Sequence, residues 1–210
     1  SASAATYRVT VGGAGDKSGS SWANAMSGAT FREKLASSSP EGEYWVTRGI
    51  YRPTSNPYDR SASFILKRGV ALYGGFVGKE KERKERNPVA NKTVLSGIIG
   101  AGAEERSFHV VRSSGADAAT VIDGFTIADA CADYSNDVSN AEHGSGMYNE
   151  NSSPTVSNCI FSGNSAVTGG GMCNESSSPT VTNCTFHNND ARGDGGGMSN
   201  YDSSPTVTNC

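Results

Sequence analysis

GSGMYNENSSPTVSNCIFSGNSAVT, residues 144–168, is followed at once by GGGMCNESSSPTVTNCTFHNNDARGD (169–194) and GGGMSNYDSSPTVTNC (195–210). Equal residues recur in phase: Met147, Met172 and Met198; Asn149, Asn174 and Asn200; Pro154, Pro179 and Pro205; Cys159, Cys184 and Cys210; Phe161 and Phe186. The spacing is 25 and then 26 residues, and the added residue falls between Phe186 and Met198. One turn is therefore enlarged while the other segments keep their register.

Each repeat carries short β-type pieces separated by Gly, Asn, Ser and Asp. No apolar residues recur at three and four, which excludes a helical solenoid. The leucine ladder of a leucine-rich repeat is missing as well. What fits is an all-β fold, a parallel β-helix with three strands and three turns per coil. The strands of the best-defined coil read as 146–148, 154–156 and 159–161, with Met147, Val156, Cys159 and Phe161 pointing inward. Coils stacked about 4.8 Å apart set each inward residue on its own counterpart, so Met147, Met172 and Met198 are expected in one vertical file. Asn149, Asn174 and Asn200 are assigned to turns, where an amide can bond the next amide of the stack and left-handed backbone is tolerated. A proline can open a strand because its missing N–H costs little there.

Working outward, TVIDGFTIADA (120–130) aligns with TVSNCIFSGNS, bringing Ile122 to Val156, Phe125 to Cys159 and Ile127 to Phe161. Further β-type runs lie at 7–11, 44–47, 63–66, 70–72, 93–95 and 108–111 and predict wider, loop-bearing coils. Thr30-Phe31-Arg32-Glu33 has a capping-box pattern, and Phe31 with Leu35 gives one apolar stripe. A short helix there is expected to cover the open end of the solenoid. The chain thus reads as one continuous domain of roughly seven coils. A cap and irregular coils occupy 1–106, and regular coils occupy 107–210. Its stop at Cys210, an inward position in mid-coil, predicts further coils in a longer protein.

The 210 residues carry a formal charge of −3 and only 35% hydrophobic side chains, with 26 glycines. Residues 1–106 hold 16 Lys/Arg against 10 Asp/Glu, and residues 107–210 hold 2 against 11. An acidic, asparagine-rich second half is a poor surface for nucleic acid. No run of about 18 apolar residues is present to span a membrane as a helix, and the opening SASAATYRV lacks the features of a signal peptide.

With these residues in view, the sequence resembles the right-handed β-helix surface proteins of Gram-negative bacteria. The Gly-Gly-Gly-Met runs ending at Met172 and Met198, and Phe-x-x-Asn at Phe161–Asn164 and Phe186–Asn189, are similar to the paired motifs of chlamydial polymorphic outer membrane proteins. Gly-Ser-Ser-Trp-Ala-Asn-Ala (19–25), Tyr-Gly-Gly-Phe-Val-Gly (73–78) with Glu80 and Arg86, and Leu-Ser-Gly (95–97) resemble the opening coils of large secreted proteins of Bacteroidetes. The resemblance implies a right-handed coil and an adhesin, secreted or at the bacterial surface, whose partner is a host or bacterial glycan or protein. It implies no shared catalytic site and no cofactor. Cys173 departs from the pattern, standing where the other repeats have Tyr148 and Ser199. No barrel or sorting domain is present in the sequence, so membrane attachment is not carried over.

Few residues suggest chemistry. The five cysteines form an odd set, and Cys159, Cys184 and Cys210 should stack as thiols with nearly parallel Cβ vectors, too far apart for good disulfide geometry. His109, His143 and His187 follow no ligand spacing and read as solvated turn or strand residues. Gly12–Ser18 lacks the Gly-Lys-Ser/Thr end of a phosphate loop and reads as a surface turn. Asp129, Asp133 and Asp137 fall in a loop-like stretch that could gather oxygens around Ca²⁺, and Asp123 and Glu142 complete the acidic candidates for a polysaccharide lyase or glycoside hydrolase. KEKERKER (79–86) reads as a solvated loop or short helix with internal ion pairs, its minority reading being an acidic-glycan dock. Tyr148 and Tyr201 are expected on the surface. The function expected is a non-catalytic stalk binding through many weak contacts. A polysaccharide-active enzyme and a bare spacer are the alternatives, and end-to-end association through the open C-terminal coil is a further expectation.

Overall fold

The computed structural model describes residues 5–102, 105–132 and 142–210. These wind into a right-handed parallel β-helix, in which every strand pairs in parallel with its equivalent in the coils before and after. The first face holds seven strands: Thr6–Val9, Gly42–Thr47, Val70–Phe76, Val121–Asp123, Thr155–Ser157, Thr180–Thr182 and Thr206–Thr208. The second holds five, Gly49–Tyr51, Thr93–Ser96, Phe125–Ala128, Ile160–Ser162 and Thr185–His187. The third also holds five, Phe64–Leu66, Val111–Ser114, Met147–Glu150, Met172–Glu175 and Met198–Tyr201. A fourth strand of two residues, unforeseen from the sequence, recurs at Cys131–Ala132, Ser165–Ala166 and Asp190–Ala191. Its brevity hides it, because two residues show no alternation to read.

Register follows the repeat residue for residue. Phe64, Val111, Met147, Met172 and Met198 form one file on the third face. Tyr44, Leu72, Ile122, Val156, Val181 and Val207 form another on the first. Tyr51, Leu95, Ile127, Phe161 and Phe186 complete the core, the last two rings stacked with centroids 4.6 Å apart. Met147, Val156, Cys159 and Phe161 are buried, as their phase predicts. A buried Leu, Val or Phe side chain contributes about 1.5–3 kcal/mol. A coil gains this only between neighbours, since its own inward residues number about four.

The asparagine assignment needs correction. Asn149 and Asn174 lie in strands of the third face, fully buried and continuing the file of Leu66 and Ser113, with exposed Asn200 next. Asn149 Nδ2 donates to Asn174 Oδ1 at 2.8 Å, and Asn174 Nδ2 to Asn200 Oδ1 at 2.8 Å. The Ser113 hydroxyl donates to Asn149 Oδ1. A polar file is tolerated in the core because the parallel stack gives each amide a donor on one side and an acceptor on the other. The left-handed corners are instead Asn158, Asn183 and Asn209, with φ between 52° and 54°, and Asn151, Ser176 and Asp202.

The Gly-Gly-Gly-Met runs have a steric cause. A Cβ on Gly171 would collide with the Gly197 carbonyl and the Phe186 ring, and one on Gly146 would meet the Gly171 carbonyl. Stacked backbones pass too closely there for any side chain.

The cap helix spans Gly28–Ala36, and its N-cap is Ser27, whose side chain accepts from Thr30 N at 3.1 Å. Thr30 therefore lies inside the helix, and the cap stands three residues earlier than the sequence pattern placed it. Phe31 and Leu35 are fully buried, and the Phe31 ring packs against Tyr44, Tyr51 and Phe64 over the end of the core. The β-run expected at 108–111 begins only at Val111.

Tyr148 and His109 were both expected on the surface and are buried. Their rings stack with centroids 5.5 Å apart, Tyr148 donates to Glu175, and His109 Nδ1 lies 3.1 Å from the Gly144 carbonyl. Burial holds His109 neutral, its pKa lowered to about 4. Tyr201 and His187 are exposed, as expected. Among the described residues no helix is long and apolar enough to cross a membrane.

Candidate functional site

The corner between the first and second faces carries a groove of about 730 Å³. One wall runs from the end of KEKERKER onward, with Lys84, Pro88, Val89 and Lys92; the other is built from successive coils, with Asn158, Ile160, Asn183 and Thr185. It crosses several coils and so runs along the solenoid axis.

Residues 81–85 are exposed, as read, but two charges of the run, Glu80 and Arg86, are withdrawn from solvent and hold the wall. Val77, Gly78 and Lys79 N–H groups donate to the Glu80 carboxylate, which is buried. Burial alone would raise Glu80, but these donors outweigh it and leave the carboxyl below its usual range. Glu85 accepts from the N–H groups of Lys81 and Glu82, which also holds its carboxyl low. Arg83 reaches Glu43 at 2.9 Å, and both Arg83 and Arg86 lie over the Tyr73 ring. Of the pairs internal to the run, Lys84–Glu82 at 2.7 Å is exposed and contributes little. As expected, the run holds a short helix, Arg83–Glu85, with Glu82 and Glu85 capping it reciprocally, while Arg83 and Arg86 reach acceptors elsewhere in the fold.

Arg86 ties the wall to the coil. It pairs with Asp123, both side chains being about as buried as core-edge groups at 15% and 13% exposure, and it donates to the carbonyls of Gly74 and Asp123. Ser157 Oγ and Asn158 Nδ2 donate to the other Asp123 oxygen at 2.7 and 3.0 Å. Asn183 Nδ2 then reaches Asn158 Oδ1 at 3.4 Å, and Asn209 Nδ2 reaches Asn183 Oδ1 at 3.3 Å. The result is a surface amide ladder anchored on a partly buried ion pair. Lys92 is exposed on the opposite wall, and its ammonium has no hydrogen bond or ion pair among the described residues. The groove thus offers a free cation, a second lysine at its rim, and a row of amides. Asn158, Asn183 and Asn209 recur in phase just before each repeat cysteine, a signal present in the sequence and not singled out there.

A second concavity, about 510 Å³, is lined by His143, Thr168, Cys173, Glu175, Asp194 and Tyr201. His143 Nδ1 is buried and finds no hydrogen-bond partner among the described residues. Cys173, the break in the repeat, is not an activated nucleophile: burial and the nearby Glu175 push its thiol up to about 11.

Met147, Met172, Met198, Cys159, Cys184, Phe161, Phe186, Asn149 and Asn174 serve the core files, whereas Asn200 and Cys210 are exposed members of theirs. All five cysteines are thiols, and burial pushes Cys159 well above its ordinary range. Asp129 is half-buried at a left-handed corner, φ 64°. Asp133 and Asp137 lie outside the described residues. Among the described residues no three His, Cys, Asp or Glu side chains converge to hold a metal. Gly12–Ser18 is largely exposed, with bends and turns and no helix following at once.

Residues 97–210, more than half of the chain, match the family described as the right handed beta helix region. Comparison with curated proteins finds no match, and comparison with solved structures finds none.

Proposed function

This chain belongs to the right-handed β-helix family, and from that premise we propose that it is a non-catalytic binding solenoid, secreted or held at a bacterial surface, that takes an extended acidic glycan along its corner groove. The observation that carries the reading is the unpaired Lys92 ammonium facing the Asn158–Asn183 amides across a groove parallel to the axis. A chain of sugars with carboxylate or sulfate groups has the matching length and charge. Its hydroxyls suit amides already fixed by neighbouring coils, so little ordering is required on binding. Each contact is weak, and repetition along the coils supplies avidity. Asp123, the carboxylate behind the groove, is occupied by Arg86, Ser157 and Asn158, which suits a structural role better than proton transfer.

Retention on immobilised heparin tests this. The protein is expected to elute earlier as salt rises, and Lys84→Glu with Lys92→Glu should abolish retention without changing the thermal midpoint. Unchanged retention by the double variant would overturn the groove reading. A second reading, a polysaccharide-cleaving enzyme, is favoured only by Glu175 and Asp194 lining one concavity with His143. Release of reducing sugar from pectin or alginate, lost in Glu175→Gln, is what it requires.

A further inference from the structure

The added residue of the second repeat can be placed closely. Ala166 pairs with Ala191 across the short fourth sheet, and the Gly169 N–H bonds the carbonyl of Asp194, just before Gly195 resumes the glycine run. Between Ala166 and Gly169 lie two residues, Val167 and Thr168; between Ala191 and Gly195 lie three, Arg192, Gly193 and Asp194. The insertion has therefore turned a two-residue corner into an exposed Arg-Gly-Asp bend.

Three features set this bend apart from the surface around it. Arg192 is one of only two basic residues between 107 and 210, in a half that carries 11 acidic ones. The other, Arg112, lies over the Tyr148 ring and 3.9 Å from Glu150. The Arg192 and Asp194 side chains, by contrast, have no hydrogen bond or ion pair among the described residues. Finally, the backbone is not free: Arg192 N donates to Ala166 O at 3.1 Å, Gly193 N to Val167 O at 2.8 Å, and the Asp194 carbonyl accepts from Gly169 N at 2.9 Å. The preceding coil thus tethers the tripeptide's backbone at three points, while its two opposite charges stay uncommitted.

We propose that Arg192–Gly193–Asp194 is a docking point for a metal-dependent receptor of the integrin type, one that coordinates the Asp194 carboxylate to its own divalent cation and takes the Arg192 guanidinium in an acidic pocket. A carboxylate oxygen is a suitable ligand for a hard cation with an open position. A guanidinium makes bidentate bonds to a carboxylate in the partner. Gly193 keeps the space between them clear; a Cβ there would already sit 3.1 Å from the Val167 carbonyl. Fixing the bend in advance removes part of the ordering cost that a flexible loop would incur. This site lies apart from the glycan groove, and its residues are not among those that line it.

The test is solid-phase binding of the protein to the purified ectodomain of an Arg-Gly-Asp-reading integrin in Mn²⁺. Saturable binding is expected, removed by EDTA and by excess soluble Arg-Gly-Asp peptide. Asp194→Glu keeps the charge but displaces it by one methylene and should weaken binding about tenfold or more. Arg192→Gln should weaken it too, both variants keeping the parent's thermal midpoint. Absence of binding, binding that survives EDTA, or equal binding by Asp194→Glu overturns the proposal. Heparin retention by the same variants keeps the two readings separate. Retention unchanged in Asp194→Glu belongs to the groove, and integrin binding unchanged in Lys92→Glu belongs to the bend.

Discussion

Replacing Asn174 by valine removes one link of the buried amide file, and the structure says which atoms lose partners. Asn149 Nδ2 loses its acceptor inside a dry core, while Asn200, on the exposed side, turns to water. One orphaned buried donor costs about 1–3 kcal/mol. Asn149→Val is worse, because it strands both the Ser113 hydroxyl and Asn174 Oδ1. Two orphaned groups cost about 2–6 kcal/mol. The double variant leaves only the Ser113 hydroxyl unsatisfied and should cost no more than about 1–3 kcal/mol plus small packing changes. Urea unfolding of the four proteins, with constant slopes as the check on two-state behaviour, gives the coupling energy directly. A double variant less stable than Asn149→Val alone, or costs that simply add, would refute the view that the file is held by mutual satisfaction.

Other outcomes follow from the same geometry. Arg86→Met leaves the part-buried Asp123 without its cation and should cost up to about 3 kcal/mol, below the range for a fully buried pair because Asp123 keeps some solvent contact and Ser157 and Asn158 still donate to it; proteolysis within 79–92 should accelerate in the same variant. Gly171→Ala should cost about 2 kcal/mol or more by denaturant midpoint, since its methyl meets the Gly197 carbonyl and the Phe186 ring. His109 titrates near 6.5 when unfolded and about 4 when folded, so between those values the unfolded chain binds the extra proton and stability falls as pH is lowered. That loss approaches about 3 kcal/mol at pH 4. His109→Leu should flatten this part of the acid arm, and an unchanged difference between urea midpoints at pH 7 and 4.5 would exclude His109 as its source.

Much of the architecture was legible because one physical rule, equal residues stacking on equal residues, leaves a periodic trace. Met147, Met172 and Met198 announced their file, and Ile122, matched to Val156 across 34 positions, was found by the same rule. Errors arose where residue type was trusted over phase. Asn149 looked like a turn residue, yet its two-residue offset from Met147 puts it on the same inward face of the strand. Tyr148 alternates outward as read, but Glu175 and the His109 ring cover it from other coils. The groove was least visible. Arg86 and Asp123 stand 37 residues apart in segments that do not repeat, so no period links them. Only Lys79–Arg86, noted for its charge, pointed toward that wall.

The corner occupied by Val167–Thr168 in one coil and Arg192–Asp194 in the next has a consequence for how this molecule can change over generations. A slip of one codon inside a strand would turn the remaining inward side chains of that strand outward, whereas the same slip at this corner only adds a projecting residue. Duplication of a whole unit of 25 or 26 codons lengthens the rod by about 4.8 Å without disturbing its lateral chemistry. Reach and surface decoration can therefore be adjusted separately, the first by copying coils and the second by editing corners.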